Sequence, residues 1–184
     1  TGTTTISAQV TTETGSNIDI QTGRLSINGG TLNLNTGSTL SGKGQFLGNV
    51  NSLGGIVSPG SSSHDTATLT ILGNLNLDSN SSVDIELGGI SKGSTYDLIN
   101  VTGNVLLGGD LNFKWANGFN STSGLNFDVI QSTGMTGSFS NINDPVGVTS
   151  SSTAIVPQTF QLFRYTTDTV ASNIFNWNSS TSGN

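Results

Sequence analysis

The chain has no cysteine, three prolines and one methionine in 184 residues. Without cysteine there are no disulfides and no thiolate metal sites, so core packing and hydrogen bonds must hold the fold. Charge is equally sparse, at 9% of residues, with a net charge of −6. The five basic residues, Arg24, Lys43, Lys92, Lys114 and Arg164, are scattered along the chain. No basic patch forms to neutralise phosphates, which excludes nucleic acid as an expected partner. An anionic membrane surface is disfavoured on the same ground. Apolar runs are only a few residues long, so neither membrane insertion nor a signal peptide is expected. The numbering begins at Thr1 rather than Met, as expected of a processed or trimmed chain, and the missing targeting signal does not argue for the cytoplasm.

Low charge combined with 32% hydrophobic residues falls short of the disorder signature, which requires high net charge and few β-formers. The polar bulk here is Ser, Thr, Asn and Gly, with Val, Ile, Leu and Phe recurring at regular spacing. Apolar pairs alternate at Ile18 and Ile20, Leu25 and Ile27, and Leu32 and Leu34. Alternation is the strand period, and successive pairs lie seven residues apart. Gly23, Gly30, Gly37 and Gly44 repeat at the same interval. A heptad coiled coil is excluded because Gly and Asn recur through the repeat while Ala, Glu and Lys are nearly absent. The spacing predicts short strands joined by tight corners, three to a triangular coil of roughly 21 residues. Coils stacked at about 4.8 Å would hold an apolar column inside, with Asn at the turns stacking as a hydrogen-bonded ladder.

A second repeat matches residues 69–77 to residues 99–107 at every second position, with an identical central Gly-Asn. The offset exceeds one coil, which predicts a protruding loop at Gly88–Ser94. Beyond about Gly118 the pattern loosens and aromatics concentrate, as suits a capping element over the end of a repeat array. The organisation read from these patterns is an N-terminal strand or cap over 1–12, a β-solenoid over 13–145 and a C-terminal β-rich cap or tail over 146–184.

The order of motifs in the middle of the chain resembles the β-strand repeat of autotransporter passenger domains and related bacterial surface proteins. It runs from Ser58-Pro59-Gly60 through Leu69–Leu77, Val83–Gly89 and Tyr96–Gly103 to Leu107–Leu111. Phe127–Ile130 followed by Gly137–Asn141 resembles the closing segment of the same repeat. The likeness covers roughly residues 40–145. It implies an all-β fold, a right-handed parallel β-helix with a looser β-rich C-terminal region, exposed outside the cell or on its surface. The repeat is a scaffold signature, so the resemblance carries over no catalytic residues. The segment 61–68 departs from the pattern, with the usual short turn expanded by Ser61-Ser62-Ser63-His64-Asp65.

Candidate chemistry is thin. His64 and Asp65 beside three serines invite a hydrolase reading, but a triad needs its groups converged beside an oxyanion hole, and neighbours in a serine-rich loop do not supply that. Asp84 and Glu86 share one strand face and could serve glycoside hydrolysis or Ca²⁺; flanked by Val83, Ile85 and Leu87, they read as a solubilising outer face. Tyr96, Trp115, Tyr165 and Trp177 could stack on sugar rings, although aromatics in a terminal region suit a core or cap. Asn80, Asn100, Asn120 and Asn178 begin glycosylation sequons, which are frequent by chance in such a composition.

The expected function is therefore an extracellular, non-enzymatic structural protein without catalytic, metal or cofactor sites. It would be a self-associating subunit of a filament, surface layer or stalk. A carbohydrate-binding adhesin recognising surface glycans is the alternative, and a polysaccharide-active enzyme is the second. The candidate self-association segment is the uncharged N-terminal stretch containing Thr3, Thr5, Ile6, Ala8 and Val10, which lacks the Lys or Pro that blunts an edge strand. Placing Asp at Leu34 should unfold the N-terminal coils, since it buries an unpaired charge; a thermal melt matching the parent would show Leu34 is not an inward position.

Overall fold

The computed structural model describes residues 2–6, 9–120, 124–145, 148–155 and 161–169. Every regular element among them is a strand. In chain order these are β1 (Thr3–Thr5), β2 (Val10–Thr11), β3 (Asn17–Ile20), β4 (Arg24–Asn35), β5 (Thr39–Gly42), β6 (Gln45–Leu53), β7 (Ile56–Pro59), β8 (Thr68–Leu72) and β9 (Leu75–Leu77). They continue with β10 (Ser82–Leu87), β11 (Leu98–Val101), β12 (Asn104–Leu107), β13 (Asp110–Trp115), β14 (Asn126–Ser132), β15 (Gly134–Gly137), β16 (Asn141–Asn143), β17 (Val148–Ile155) and β18 (Gln161–Thr169).

Two sheets result. A six-stranded sheet runs β16-β13-β10-β7-β5-β3, entirely parallel. The second has twelve strands and is mixed: its ladders are parallel through β15, but β18 pairs antiparallel with both β14 and β17. The chain returns to each sheet in turn, and three short segments make up one pass: 68–72, 75–77 and 82–87 in one, then 98–101, 104–107 and 110–115 in the next. Parallel strands cannot be joined by a two-residue hairpin, so the chain must travel around before pairing with itself again.

Side chains alternate along several strands. Strands β6 and β10 read half-buried, buried, half-buried, buried along their length. Alternation is usual for antiparallel sheets with one wet face. Here a parallel arrangement achieves it because the inner faces of the two sheets bury each other's side chains in a single core. That core consists of apolar columns, one residue per pass. Leu32, Val50, Leu75 and Val105 form one, in register across β4, β6, β9 and β12. Leu40, Val57, Val83 and Leu111 form another across β5, β7, β10 and β13. Of the inward residues expected from the seven-residue spacing, Ile20, Ile27, Leu32 and Leu34 are buried, while Ile18 and Leu25 are only half-buried. Both of the latter stand close to the N-terminal edge, where fewer layers cover them.

The 30-residue match between 69–77 and 99–107 is the pairing register: Leu69 faces Ile99 and Leu75 faces Val105. The period is not constant, however. Stacked partners lie 21 residues apart at Arg24 and Gln45, 18 at Asn33 and Asn51, 25 at Asn49 and Asn74, and 31 at Asp110 and Asn141. Strand segments stay short, so the connections absorb the difference. Long connections run over 60–67, 88–97 and 116–125, the second containing the expected loop, on which Ile90 is 70% exposed.

Two local devices make the corners. Within β4, Asn28 and Gly29 both adopt positive φ, a pair suited to a local bend or bulge, and the parallel pairing with β6 shifts register between Ser26 and Thr31. The second device is the Gly-Asn dipeptide, present at 48–49, 73–74 and 103–104. The Asn49 side-chain oxygen accepts from the Asn74 amide at 2.9 Å, and that of Asn74 accepts from the Asn104 amide at 2.8 Å. Beside this ladder the Gly103 amide donates to the Gly73 carbonyl at 2.9 Å. A Cβ at Gly103 would stand 2.6 Å from that oxygen and would also strike the Asn74 side-chain oxygen. Gly73 meets the Gly48 carbonyl in the same way. These glycines are required by close approach between passes. Gly103→Ala should therefore destabilise by about 1–3 kcal/mol, the usual cost of overpacking, and denaturant unfolding will measure it; unchanged stability would mean the passes do not touch at this corner.

Candidate functional site

The most elaborate surface feature lies over the outer face of the six-stranded sheet, where the 61–65 loop folds back to roof a groove of about 290 Å³. Short hydrogen bonds pin the loop. The Asp65 carboxylate accepts from the Ser61 amide at 3.2 Å and from its hydroxyl at 2.8 Å. Lys43 reaches Asp65 from the neighbouring corner at 3.4 Å. His64 sits at a positive φ of 71°, its amide donating to Glu86 Oε2 at 2.7 Å and its carbonyl accepting from Asn117 at 3.3 Å. Ser41, Ser58, Ser62, Glu86 and Lys114 line the groove.

This arrangement brings Ser61, His64 and Asp65 together in space, but not as a relay. The Ser61 hydroxyl is directed to Asp65, and the exposed His64 ring makes no hydrogen bond among the described residues. The Ser61 hydroxyl and amide, with help from Lys43, hold the Asp65 carboxyl below its ordinary range, which makes it a poor base for activating a serine. Asp84 and Glu86 do share the outer face of β10. Asp84 accepts from Asn112 at 2.7 Å and pairs with Lys114 at 3.3 Å, so it belongs to a ladder of polar side chains across the sheet. Among the described residues no three acidic or imidazole groups gather to hold a metal ion.

The aromatic candidates fare differently from one another. Tyr96 is 4% exposed and packs edge-on against Phe127 with ring centres 5.1 Å apart. Phe119 joins the same cluster and brings in Trp115, half-buried, at 5.7 Å. Tyr96 thus serves the core and offers no face to a sugar. The side chain of Tyr165 and all of Trp177 lie outside the described residues.

The N-terminal candidates are placed on strands. Thr3 and Thr5 are exposed on β1, parallel to β4 at Arg24 to Ser26. The Ile6 amide donates to the Ser26 carbonyl at 2.7 Å while its side chain is 39% exposed. Val10 faces Leu32 from β2 and is half-buried. Ala8 lies outside the described residues. The segment thus pairs with β4 alone, and its far edge has no strand partner among the described residues.

Asp97 is the residue that sequence reasoning passed over. It is fully buried, with one carboxylate oxygen accepting from the Ala67 amide at 2.8 Å and the other from the Glu86 amide at 2.7 Å. It ties the start of β8 to β10 between the 60–67 and 88–97 connections. Burial pushes its carboxyl up to about 7, against the pull of the two amide donors, and the nearby charges of Glu86 and Asp65 add to the rise. Asp78 clamps another corner with the opposite result. Burial raises it, but the Ser81 hydroxyl and the amides of Asn80, Gly54 and Ser81 outweigh that and leave it low. The signal for Asp97 was present as a lone acid between Tyr96 and Leu98 in an apolar strand entry.

No protein-family model matches this chain, and no curated protein matches it significantly. The resemblance to autotransporter repeats therefore rests on motif order alone.

The Asp97 geometry fixes the sign of a pH effect. Its folded-state pKa stands above the unfolded value of 3.8, so its favourable contribution is complete below that value and is lost as pH rises through about 7. The limiting slope is one proton, about 1.4 kcal/mol per pH unit. Asp65 and Asp78 act oppositely, losing their contribution on further acidification. Melting temperature should thus peak on the acid side and decline from about pH 4 to 7, and Asp97→Asn should flatten that decline while lowering stability, since its amide faces one of the two backbone donors. A decline of unchanged slope in Asp97→Asn would assign the titration to another group.

Proposed function

We propose that this chain is an extracellular right-handed parallel β-solenoid, a structural subunit of a filament, surface layer or stalk that associates with copies of itself. The observation that carries this reading is the run of parallel registers joining successive passes with one apolar residue per column in each. A molecule built this way lengthens by adding passes, and its mass goes into a rigid rod rather than into walls around a cleft. Its outer faces carry Thr, Ser and Asn with little charge, which suits exposure without ionic partners. The motif order resembling surface-protein repeats supports the location outside the cell.

The hydroxyl-lined groove under the 61–65 loop favours a second reading, binding of a glycan chain along the outer face of the six-stranded sheet; a glycan array with the intact protein addresses it. The polysaccharide-active enzyme would need a pair of carboxylates facing the groove; of Asp84 and Glu86 only Glu86 lines it, and Asp84 is held by Asn112 and Lys114.

Electron microscopy and sedimentation of the intact chain over a concentration series are the direct test. Rods that lengthen with concentration are expected, and oriented specimens should diffract at about 4.8 Å along the rod axis, the spacing of stacked strands. Compact particles that stay monomeric at every concentration would remove the self-association, and a strand spacing perpendicular to the long axis would remove the solenoid.

A further inference from the structure

We infer that the contact between copies is made by the open edges of β15 and β16 on one copy and of β2 and β3 on the next, with the β17–β18 hairpin excluding β1 from it. This rests on the self-association proposed above and assigns its two faces.

The argument starts from the ends of the apolar columns. The first column begins at Val10 and ends at Met135; the second begins at Ile18 and ends at Ile142. Their interior members are essentially inaccessible, with Leu32, Val50, Leu75, Leu40, Val57, Val83 and Leu111 all at 0%. All four end members are only half-buried. Seating Val10 of a second copy over Met135, and its Ile18 over Ile142, continues both columns at the register used within the chain. Partial exposure is removed at both ends at once.

The polar positions agree. With Ile18 over Ile142, Asn17 stands over Asn141 and Asp19 over Asn143. Within the chain, Asn112 donates to Asp84 and Asn143 donates to Asn112. Asn17, whose side-chain oxygen accepts from Ser41, has its amide N–H groups to give to Asn141, in the sense in which Asn141 gives to Asp110; Asp19 can only accept, and meets the second N–H of Asn143. None of β2, β3, β15 and β16 contains Lys, Arg or Pro, the residues that blunt an edge. Within the described residues β15 pairs only with β12, and β16 only with β13.

The third face behaves differently. β14 already pairs along one edge with β11 and along the other with β18, where Ser132 faces Gln161. A second copy's β1 therefore finds that edge occupied. Growth is head to tail, and it does not close on itself unless the rotation forms a ring.

Sedimentation equilibrium of the intact chain and three variants tests the assignment. Met135→Lys places an inward charge at the accepting edge and should abolish association, with circular dichroism confirming its strands. Asn143→Asp sets two carboxylates face to face across the contact and should weaken association about threefold; adding Asp19→Asn to that chain should restore it. If the parent associates and neither Met135→Lys nor Asn143→Asp changes its affinity, these edges are not the contact and self-association uses another surface. If Asn143→Asp weakens association without rescue by Asp19→Asn, the register is wrong. A parent that never associates overturns this assignment together with the reading beneath it.

Discussion

The structure depends on backbone hydrogen bonding between passes. A parallel strand has no partner in its own pass, so each amide and carbonyl is satisfied only by the chain one pass earlier or later. Everything at the corners serves that spacing. The Gly-Asn dipeptide puts a side-chain acceptor above the next amide and leaves no Cβ in its way, at 48–49, 73–74 and 103–104. Asp78 and Asp97 do the same work with carboxylates where the corner opens into longer connections. With no cysteine to bridge the turns, these small polar residues are the fastenings of the fold.

What was legible in the sequence was what repeats. The alternation at Leu32 and Leu34 and the 30-residue match of 69–77 with 99–107 both correspond to real registers, because one residue per pass in an apolar column is a one-dimensional pattern. The constant coil length was not legible as a limit. Stacked partners move from 17 to 31 residues apart, since insertions at a corner leave the strands in register and lengthen only the connection. Gly48-Asn49 was missed as a member of the Gly-Asn set for the same reason, its spacing to the next copy being 25 rather than 30. Asp97 shows in the sequence only as a lone acid at an apolar strand entry, because its partners are backbone amides at Ala67 and Glu86, which leave no trace in side-chain identity.

The loop carrying His64 shows how a suggestive composition resolves into structure. Serine, histidine and aspartate are neighbours there, and each has a job that competes with catalysis. The Ser61 hydroxyl closes the loop onto Asp65, Lys43 draws that carboxylate toward its own corner, and His64 contributes its backbone to Glu86 and Asn117. The loop is a strap across the outer sheet. A nucleophile would need its proton held by a group of raised basicity, and Asp65 has been moved the other way.

The antiparallel hairpin of β17 and β18 explains why the two ends of this molecule are not equivalent. An antiparallel strand can pair along a parallel edge, but it does not reproduce the register in which another pass would continue. By lying along β14 it ends one face of the stack while the faces ending in β15 and β16 remain in the geometry of their predecessors. A stack closed on all faces has no strand edge to offer, and one open on all faces offers an unrestricted template for aggregation. On the self-association proposed above, closing one face would narrow what can follow to something that matches the remaining two, and the hairpin would then serve specificity as much as stability.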